Sequence, residues 1–216
     1  MEKYGFPLVS KQQSRFIYQA RNTKSEKLRN TRLYGVKGNT YNGKFGGISK
    51  KWQYLVYEPY ETREICCDIL KKRPFDEYRK KSGLYPIFGT MAEESLIRKR
   101  SFIRRGSCNV FSGKNISSMP MGIWTEKDIW QCIEKYNIPI SDIYRKGAVR
   151  TGCMFCGYGC QFKDDNRLQL VYDLYPKWYE HFMNYTNNGV TYREALRKVL
   201  AVNGLYLPDE KPSESI

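Results

Sequence analysis

The sequence predicts an α/β domain, rich in helix and with a small sheet, on three observations. "YPIFGTM" (85–91) reads as a short buried strand ending near a glycine, and "AEESLIRKRSFIRR" (92–105) follows as a helix with a basic face. Strand, glycine turn and helix make half of an α/β unit. Most of the remaining periodic segments repeat their apolar residues at helical spacing behind capping residues. The chain has 216 residues, which fits one domain, and 41% hydrophobic with 15% aromatic residues is enough to build a core.

Taken in order, residues 21–51 are basic, with glycine and asparagine throughout ("GNTYNGKFGG"). They read as a long loop or loose hairpin able to lie on a polyanion, or as a solvated insertion. Over 62–72, Ile65, Ile69 and Leu70 fall at helical spacing; Pro74 breaks or restarts that helix, and Gly83 stops the next one. "FSGKNISS" (111–118) reads as a loop. Thr125 is the N-cap of "EKDIWQCIEKY", whose Ile129, Cys132, Ile133 and Tyr136 share a face and make Cys132 a core cysteine. "NRLQLVYDLYPKWYEHFMNY" (166–185) is a proline-interrupted helix in which His181 sits among aromatics as a structural residue. Thr191 and Glu194 form a capping box for a helix ended by Gly204. The domain is expected to span 1–207, with 208–216 a flexible tail.

The net charge is +15, which favours polyanionic partners: nucleic acid, nucleotide phosphates or sulfate. Solubility alone is the other reading of the same charge. No apolar run approaches a membrane span, and "MEKYGFPLVSKQQ" lacks the apolar centre of a signal peptide, so a cytoplasmic location is expected. Thiols stay reduced there, and seven cysteines then argue for metal or catalytic use over disulfides. A single histidine, His181, argues against histidine-based catalysis and His-rich metal sites.

The segment "RTGCMFCGYGC" (150–160) holds Cys153, Cys156 and Cys160 at C-x2-C-x3-C spacing. A tetrahedral metal site or a cubane cluster takes four ligands. The adjacent Cys66 and Cys67 are the next conspicuous thiols, and both can face one site only if the helix there is bent. Two from the pair and two from C-x2-C supply four thiolates, enough for a [4Fe–4S] cluster or an all-thiolate zinc site; zinc could equally take Cys160 in place of one of the pair. Lys71, Lys72, Arg73 and Arg150 flank these cysteines, and positive neighbours favour thiolate. A purely fold-stabilising metal is the alternative, because a closed four-thiolate site leaves no open position.

These residues resemble the phosphoadenosine and adenosine phosphosulfate reductase family, within the adenine-nucleotide α-hydrolase-like superfamily. "CCDILKKRP", "GTMAEESLIR", "MPMGIWTEKDIWQCIEKYNIPISDIYRKG" and "RTGCMFC" are similar to its Cys-Cys, Gly…Ser-x-x-Arg, Pro-Leu-x-x-Trp-Thr-x-x-Asp and Gly-Cys-x-x-Cys segments, in the same order. The look is that of the reductase-like proteins common in phages and mobile elements of Gram-positive bacteria. The resemblance implies a [4Fe–4S] cluster on Cys66, Cys67, Cys153 and Cys156, with Cys160 extra or a substitute. It implies that Lys71, Lys72, Ser95 and Arg98 face the phosphosulfate end of an adenine nucleotide, and Arg150 joins them as a substrate-binding candidate. Glu94 and Arg98 can alternatively form an ordinary i,i+4 ion pair.

Three features depart from the family's pattern. The Ser-Gly-Gly-Lys-Asp-Ser loop that cradles nucleotide is absent, so the chain is expected to start about halfway into the family's domain. The C-terminal Glu-Cys-Gly-x-His nucleophile is missing, and Thr90 and Met91 stand where the family has arginines. The expected fold is thus a partial adenine-nucleotide α-hydrolase-like domain, and a second chain or copy is expected to complete it. The alternative function is a basic nucleic-acid-binding or protein-interaction module that keeps the metal for structure.

Overall fold

The computed structural model describes residues 1–38, 40, 41, 43, 45–113 and 115–210. Their contacts divide the chain into two compact units: Met1–Lys71 with Ile143–Ile216, and Lys72–Asp142.

The first unit is organised on its N-terminal segment. Phe6, Leu8 and Val9 are fully buried. Leu8–Val9 pairs in parallel with Gly157–Tyr158, Leu8 opposite Gly157 and Val9 opposite Tyr158. The same segment bridges Thr62, also in parallel, with the Phe6 amide donating to the Glu61 carbonyl at 2.7 Å and the Arg63 amide to the Phe6 carbonyl at 3.2 Å. One short apolar run thereby holds two stretches nearly a hundred residues apart.

Ser10 then turns the chain into helix Lys11–Asn22, its hydroxyl accepting from the Gln13 amide. The inner face of this helix is Ser14, Ile17 and Ala20, and the buried Ser14 hydroxyl donates to the Leu8 carbonyl at 2.6 Å. Part of the stretch expected as a loop is helix Glu26–Tyr34, capped by Ser25, followed by the ribbon Val36–Lys37 and Thr40–Tyr41. Residues 39, 42 and 44 of "GNTYNGKFGG" lie outside the described residues.

The C-terminal helices are Arg167–Leu174, Pro176–Met183 and Tyr192–Ala201. Pro176 opens the second, where its missing N–H costs nothing. Tyr179, Met183, Tyr192, Leu196 and Val199 join Phe6, Leu8, Leu55 and Leu207 in the core. Phe6 lies between Tyr60 and Tyr192, ring centroids 5.5 and 5.1 Å away. Each such buried side chain contributes about 1.5–3 kcal/mol of apolar transfer. At the end of the unit, Pro208–Glu210 makes one 3-10 turn, in which Asp209 accepts from Tyr179 and Arg193, and Glu210 from Arg197. Residues 211–216, the rest of the expected tail, lie outside the described residues.

Gly157 is the tightest point of the strand pairing. A Cβ there would stand 2.6 Å from the Pro7 carbonyl oxygen and 2.6 Å from the Tyr192 hydroxyl. Neither neighbour is the free end of a flexible chain. Gly157→Ala is expected to lower stability by about 2–3 kcal/mol. Gly204→Ala, at φ +67° with no atom within 4 Å, carries only the conformational cost of about 1–2 kcal/mol. Urea denaturation of the two variants checks the order; an equal or larger loss at Gly204 would overturn it.

The second unit holds helices Arg73–Ser82, Leu96–Arg105 and Glu126–Tyr136, with a hairpin of Asn109–Val110 and Ser117–Ser118. Thr125 and Asp128 form a reciprocal capping box, and Gly83 and Gly106 close their helices at φ +68° and +77°. Two expectations fail here. The segment 85–91 is not a buried strand: Ile87 alone bridges Ser118, and Ile87 is 75% exposed. Cys132 is not a core residue but half-buried, with Tyr136 exposed. The cause is shared. Among the described residues of this unit only Ser117 and Gly122 are buried, so no second layer within it covers the apolar positions. "FSGKNISS" contributes a hairpin strand at its end, while Lys114 lies outside the described residues. No described helix is long and apolar enough to cross a membrane.

Candidate metal centre

Cys66 and Cys67 close a single α-turn, Ile65–Cys67, and the backbone then widens at once into a π-helical segment, Asp68–Lys72. This widening begins just after the cysteine pair; π-turns of this kind interrupt α-helices mostly where function demands it. Facing them is the loop before Gly157–Tyr158. Two tyrosines fix that loop. The Tyr158 hydroxyl donates to the Arg63 carbonyl at 3.1 Å, three residues before Cys66, and the buried Tyr192 hydroxyl donates to the Phe155 carbonyl at 2.8 Å, one residue before Cys156.

The electrostatics show which thiols are neighbours. Burial pushes the Cys66 thiol up to about 11, and the nearby Cys67 and Cys156 push the same way. Burial also raises Tyr158 and Tyr192; Cys66, Cys67 and Cys156 add to the first, and Cys160, Cys156 and Cys66 to the second. Cys66, Cys67 and Cys156 are therefore half-buried near one another, and Cys156 lies near the buried Cys160 as well. The Cys153 carbonyl accepts from the Cys156 amide at 3.0 Å, and Cys153 lines a hollow of about 220 Å³ with Ile143, Thr151 and Leu170.

Cys160 has a different situation. It is 5% exposed, its thiol donates to the Cys156 carbonyl at 3.4 Å, and burial drives it up to about 12 although Arg167 pulls the other way.

Beneath the loop, the Asp165 side chain is 4% exposed and accepts from Arg150 at 2.5 Å and from Arg167 at 3.0 Å through each oxygen. Arg167 also donates to the Tyr158 carbonyl and comes within 3.9 Å of the Cys160 sulfur. Arg150 is therefore engaged by a carboxylate, and the trio brackets the cysteine loop at both ends. Sequence reading missed Asp165, Arg167, Tyr158 and Tyr192. Only "DDNR" after the third cysteine hinted at charge pairing; nothing local marks the tyrosines.

Of the other candidates, Lys71 and Lys72 are exposed, at the end of the π-helical segment. Ser95 and Arg98 belong to the second unit. Ser95 caps its helix by accepting from the Arg98 amide at 3.2 Å, and Arg98 pairs with Glu94, the ordinary i,i+4 arrangement.

A metal on these cysteines can be tested against the donors present. Their type fits: a group of thiols in which Cys66 resists ionisation until a cation compensates the charge. Their positions are not closed, because among the described residues no three cysteine, histidine or carboxylate side chains stand together so as to hold a metal ion.

Residues 14–158, more than half of the chain, match the profile of the phosphoadenosine phosphosulfate reductase domain. The chain belongs to this family. Individual relatives of the phosphoadenosine phosphosulfate reductase-domain chain agree. It is 28% identical to an adenosine 5'-phosphosulfate reductase of Neisseria meningitidis over 110 residues, 50% of this chain and 43% of the relative. It is 30% identical to one from Lysinibacillus sphaericus over 103 residues, 47% of this chain and 42% of the relative. A sulfate adenylyltransferase subunit 2 of Mesorhizobium japonicum is 38% identical over 65 residues, 28% of this chain and 20% of that protein. The chain thus spans less than half the length of the curated relatives it matches. No solved structure matches it. The family's profile covers both cysteine segments and the helix with Ser95 and Arg98.

Proposed function

We propose that this protein is a sulfonucleotide-handling member of its family, an enzyme or enzyme subunit whose Cys66, Cys67, Cys153 and Cys156 hold a [4Fe–4S] cluster. A zinc ion, with Cys160 as substitute ligand, is the alternative cofactor. The observation that carries the reading is the common neighbourhood of Cys66, Cys67 and Cys156, brought about by one N-terminal segment that pairs with the ribbons leading to both cysteine groups. Similar proteins that bear the name adenosine 5'-phosphosulfate reductase support the substrate class. When bound, such a centre would tie the two cysteine segments together, and in the iron form it would supply a store for electrons. The chain's own contribution is to recognise the anion: Lys71 and Lys72 present exposed ammonium groups just past the cysteine pair, and point charges of this kind suit phosphate and sulfate. Arg150, Ser95 and Arg98 contribute only by exchanging their present partners for the ligand. The nucleotide cradle and the attacking thiol are assigned to a partner, a second copy or another part of the protein.

The test is anaerobic purification of the whole chain, followed by iron, zinc and sulfide assay, charge-transfer absorbance, and equilibrium binding of labelled adenosine phosphosulfate, ATP and tRNA. Metal with sulfonucleotide binding is the expected result. A folded protein with neither metal nor nucleotide affinity would sink the reading.

One observation favours a second reading, a nucleic-acid-binding module. Helix Leu96–Arg105 carries Arg98, Lys99, Arg100, Arg104 and Arg105 interleaved with Phe102, and basic groups among aromatics suit single strands. Tight, salt-sensitive tRNA binding with no affinity for sulfonucleotide would select it.

A further inference from the structure

We propose that the second unit carries an anion site of its own, made for a dianionic phosphate monoester with an apolar or aromatic group. The site is the hollow between helix Leu96–Arg105 and the hairpin of Asn109–Val110 and Ser117–Ser118, with a volume of about 610 Å³. That lies within the range of about 300–1,000 Å³ common for small-ligand sites.

Three guanidinium groups line it, Arg79, Arg104 and Arg105, and no carboxylate does. Arg105 is held rigidly and without charge compensation. It donates to the Ser107 carbonyl at 3.1 Å, the Ser117 hydroxyl at 2.9 Å, the Cys108 carbonyl at 3.3 Å and the Ser117 carbonyl, all neutral acceptors. The Arg104 side chain makes no hydrogen bond or ion pair among the described residues. Arg79 meets Asp76 only at 3.7 Å, both half-exposed, a pairing of little strength that a bound anion can replace. The hollow therefore concentrates positive charge that no carboxylate lining it offsets, and the Arg104 fork, with no partner among the described residues, is open to a phosphate. The Ser101 hydroxyl adds a donor, and Phe88 supplies a ring on the wall. A lining that mixes guanidinium and hydroxyl groups with Phe88, Val110, Ile116 and Met119 fits a phosphate carrying an organic group better than a bare ion. Neither Ser95 nor Arg98 lines this hollow, so the inference is independent of the cysteine centre and stands or falls without it.

The experiment is titration of the full chain with phenyl phosphate, phenyl sulfate and inorganic phosphate by calorimetry, and with a uridine decanucleotide. Saturable binding of phenyl phosphate is expected, tighter than that of inorganic phosphate and of phenyl sulfate. Affinity should weaken as pH falls below about 6, where the monoester takes up its second proton. Arg104→Gln should weaken it about tenfold or more, the loss of one charged hydrogen-bonding group. Lys127→Gln, in the same unit but outside the lining, should leave it unchanged. Three results would each overturn the proposal: no saturable binding, equal weakening by the two variants, or phenyl sulfate binding as tightly as phenyl phosphate. Decanucleotide binding that phenyl phosphate fails to displace would likewise overturn it in favour of a nucleic-acid surface.

Discussion

The Cys156→Ser variant is expected to emerge from anaerobic purification without iron or zinc, and the Cys160→Ser variant with the metal content of the parent protein. The difference follows from where the two sulfurs lie. Cys156 is half-buried near Cys66 and Cys67, whereas Cys160 is buried and bonded to the Cys156 carbonyl. A serine hydroxyl there cannot replace a thiolate donor, since it does not ionise at neutral pH. Cys66→Ser and Cys67→Ser should behave in the same way. The Cys160 thiol is 5% exposed and donates to the Cys156 carbonyl, so it must give up that bond and its buried position to reach a metal. Its replacement by serine costs about 1–3 kcal/mol in stability, for burying a more polar group. Metal analysis and absorbance of the four variants settle the ligand set. If Cys160→Ser loses the metal while Cys156→Ser keeps it, the assignment of these two cysteines is reversed.

What could be read in the sequence was local. Thr125 and the Thr191–Glu194 box each announce a helix start with a hydroxyl that bonds three residues ahead, and each does so in the structure. His181 sits against Trp178, Phe182 and Tyr185 as expected. Two adjacent helical side chains point about 100° apart, and Cys66 and Cys67 lie in an α-turn, the π-helical segment beginning just after them.

The rest depended on groups far apart in sequence. Tyr158 reaches Arg63, and Tyr192 reaches Phe155, across 95 and 37 residues; no periodicity carries such a bond. Helix Glu26–Tyr34 was hidden because it buries no residue. Its support is a serine cap and Arg32, which lies 4.0 Å over the Phe16 ring and donates to Gln19. At 85–91 the apolar pattern promised burial, but burial needs a second layer, and the pattern of one segment does not say whether that layer exists.

Asp165→Ala should destabilise the first unit by about 3 kcal/mol or more. The Asp165 side chain is 4% exposed and that of Arg167 15%, while Arg150 is 58% exposed. Removing the carboxylate frees Arg150 to solvent at little cost, but strands the Arg167 cation in a buried position against the Tyr158 carbonyl and the Cys160 sulfur. Gly159 bears on the same point: at φ +88°, a Cβ there would stand 2.6 Å from Arg150, so backbone and ion pair are fitted to one another. Asp165→Asn keeps the shape and one acceptor, and should fall between parent and alanine variant.

The pH dependence has a definite sign. Burial works against ionisation of Asp165, yet hydrogen bonds from Arg167 and Arg150 outweigh it and hold its carboxyl below the ordinary carboxylate value. The unfolded chain, with an aspartate near about 3.9, then takes up its proton first as the solution is acidified. Stability from this group is complete above that value and is lost as pH falls through the lower, folded one. Parent and alanine variant should accordingly differ most near neutrality and converge in acid, as read by urea midpoints across the range. A gap of under about 0.5 kcal/mol at neutral pH would place the trio among ordinary surface pairs. The cysteine loop would then owe its position to Tyr158 and Tyr192 alone.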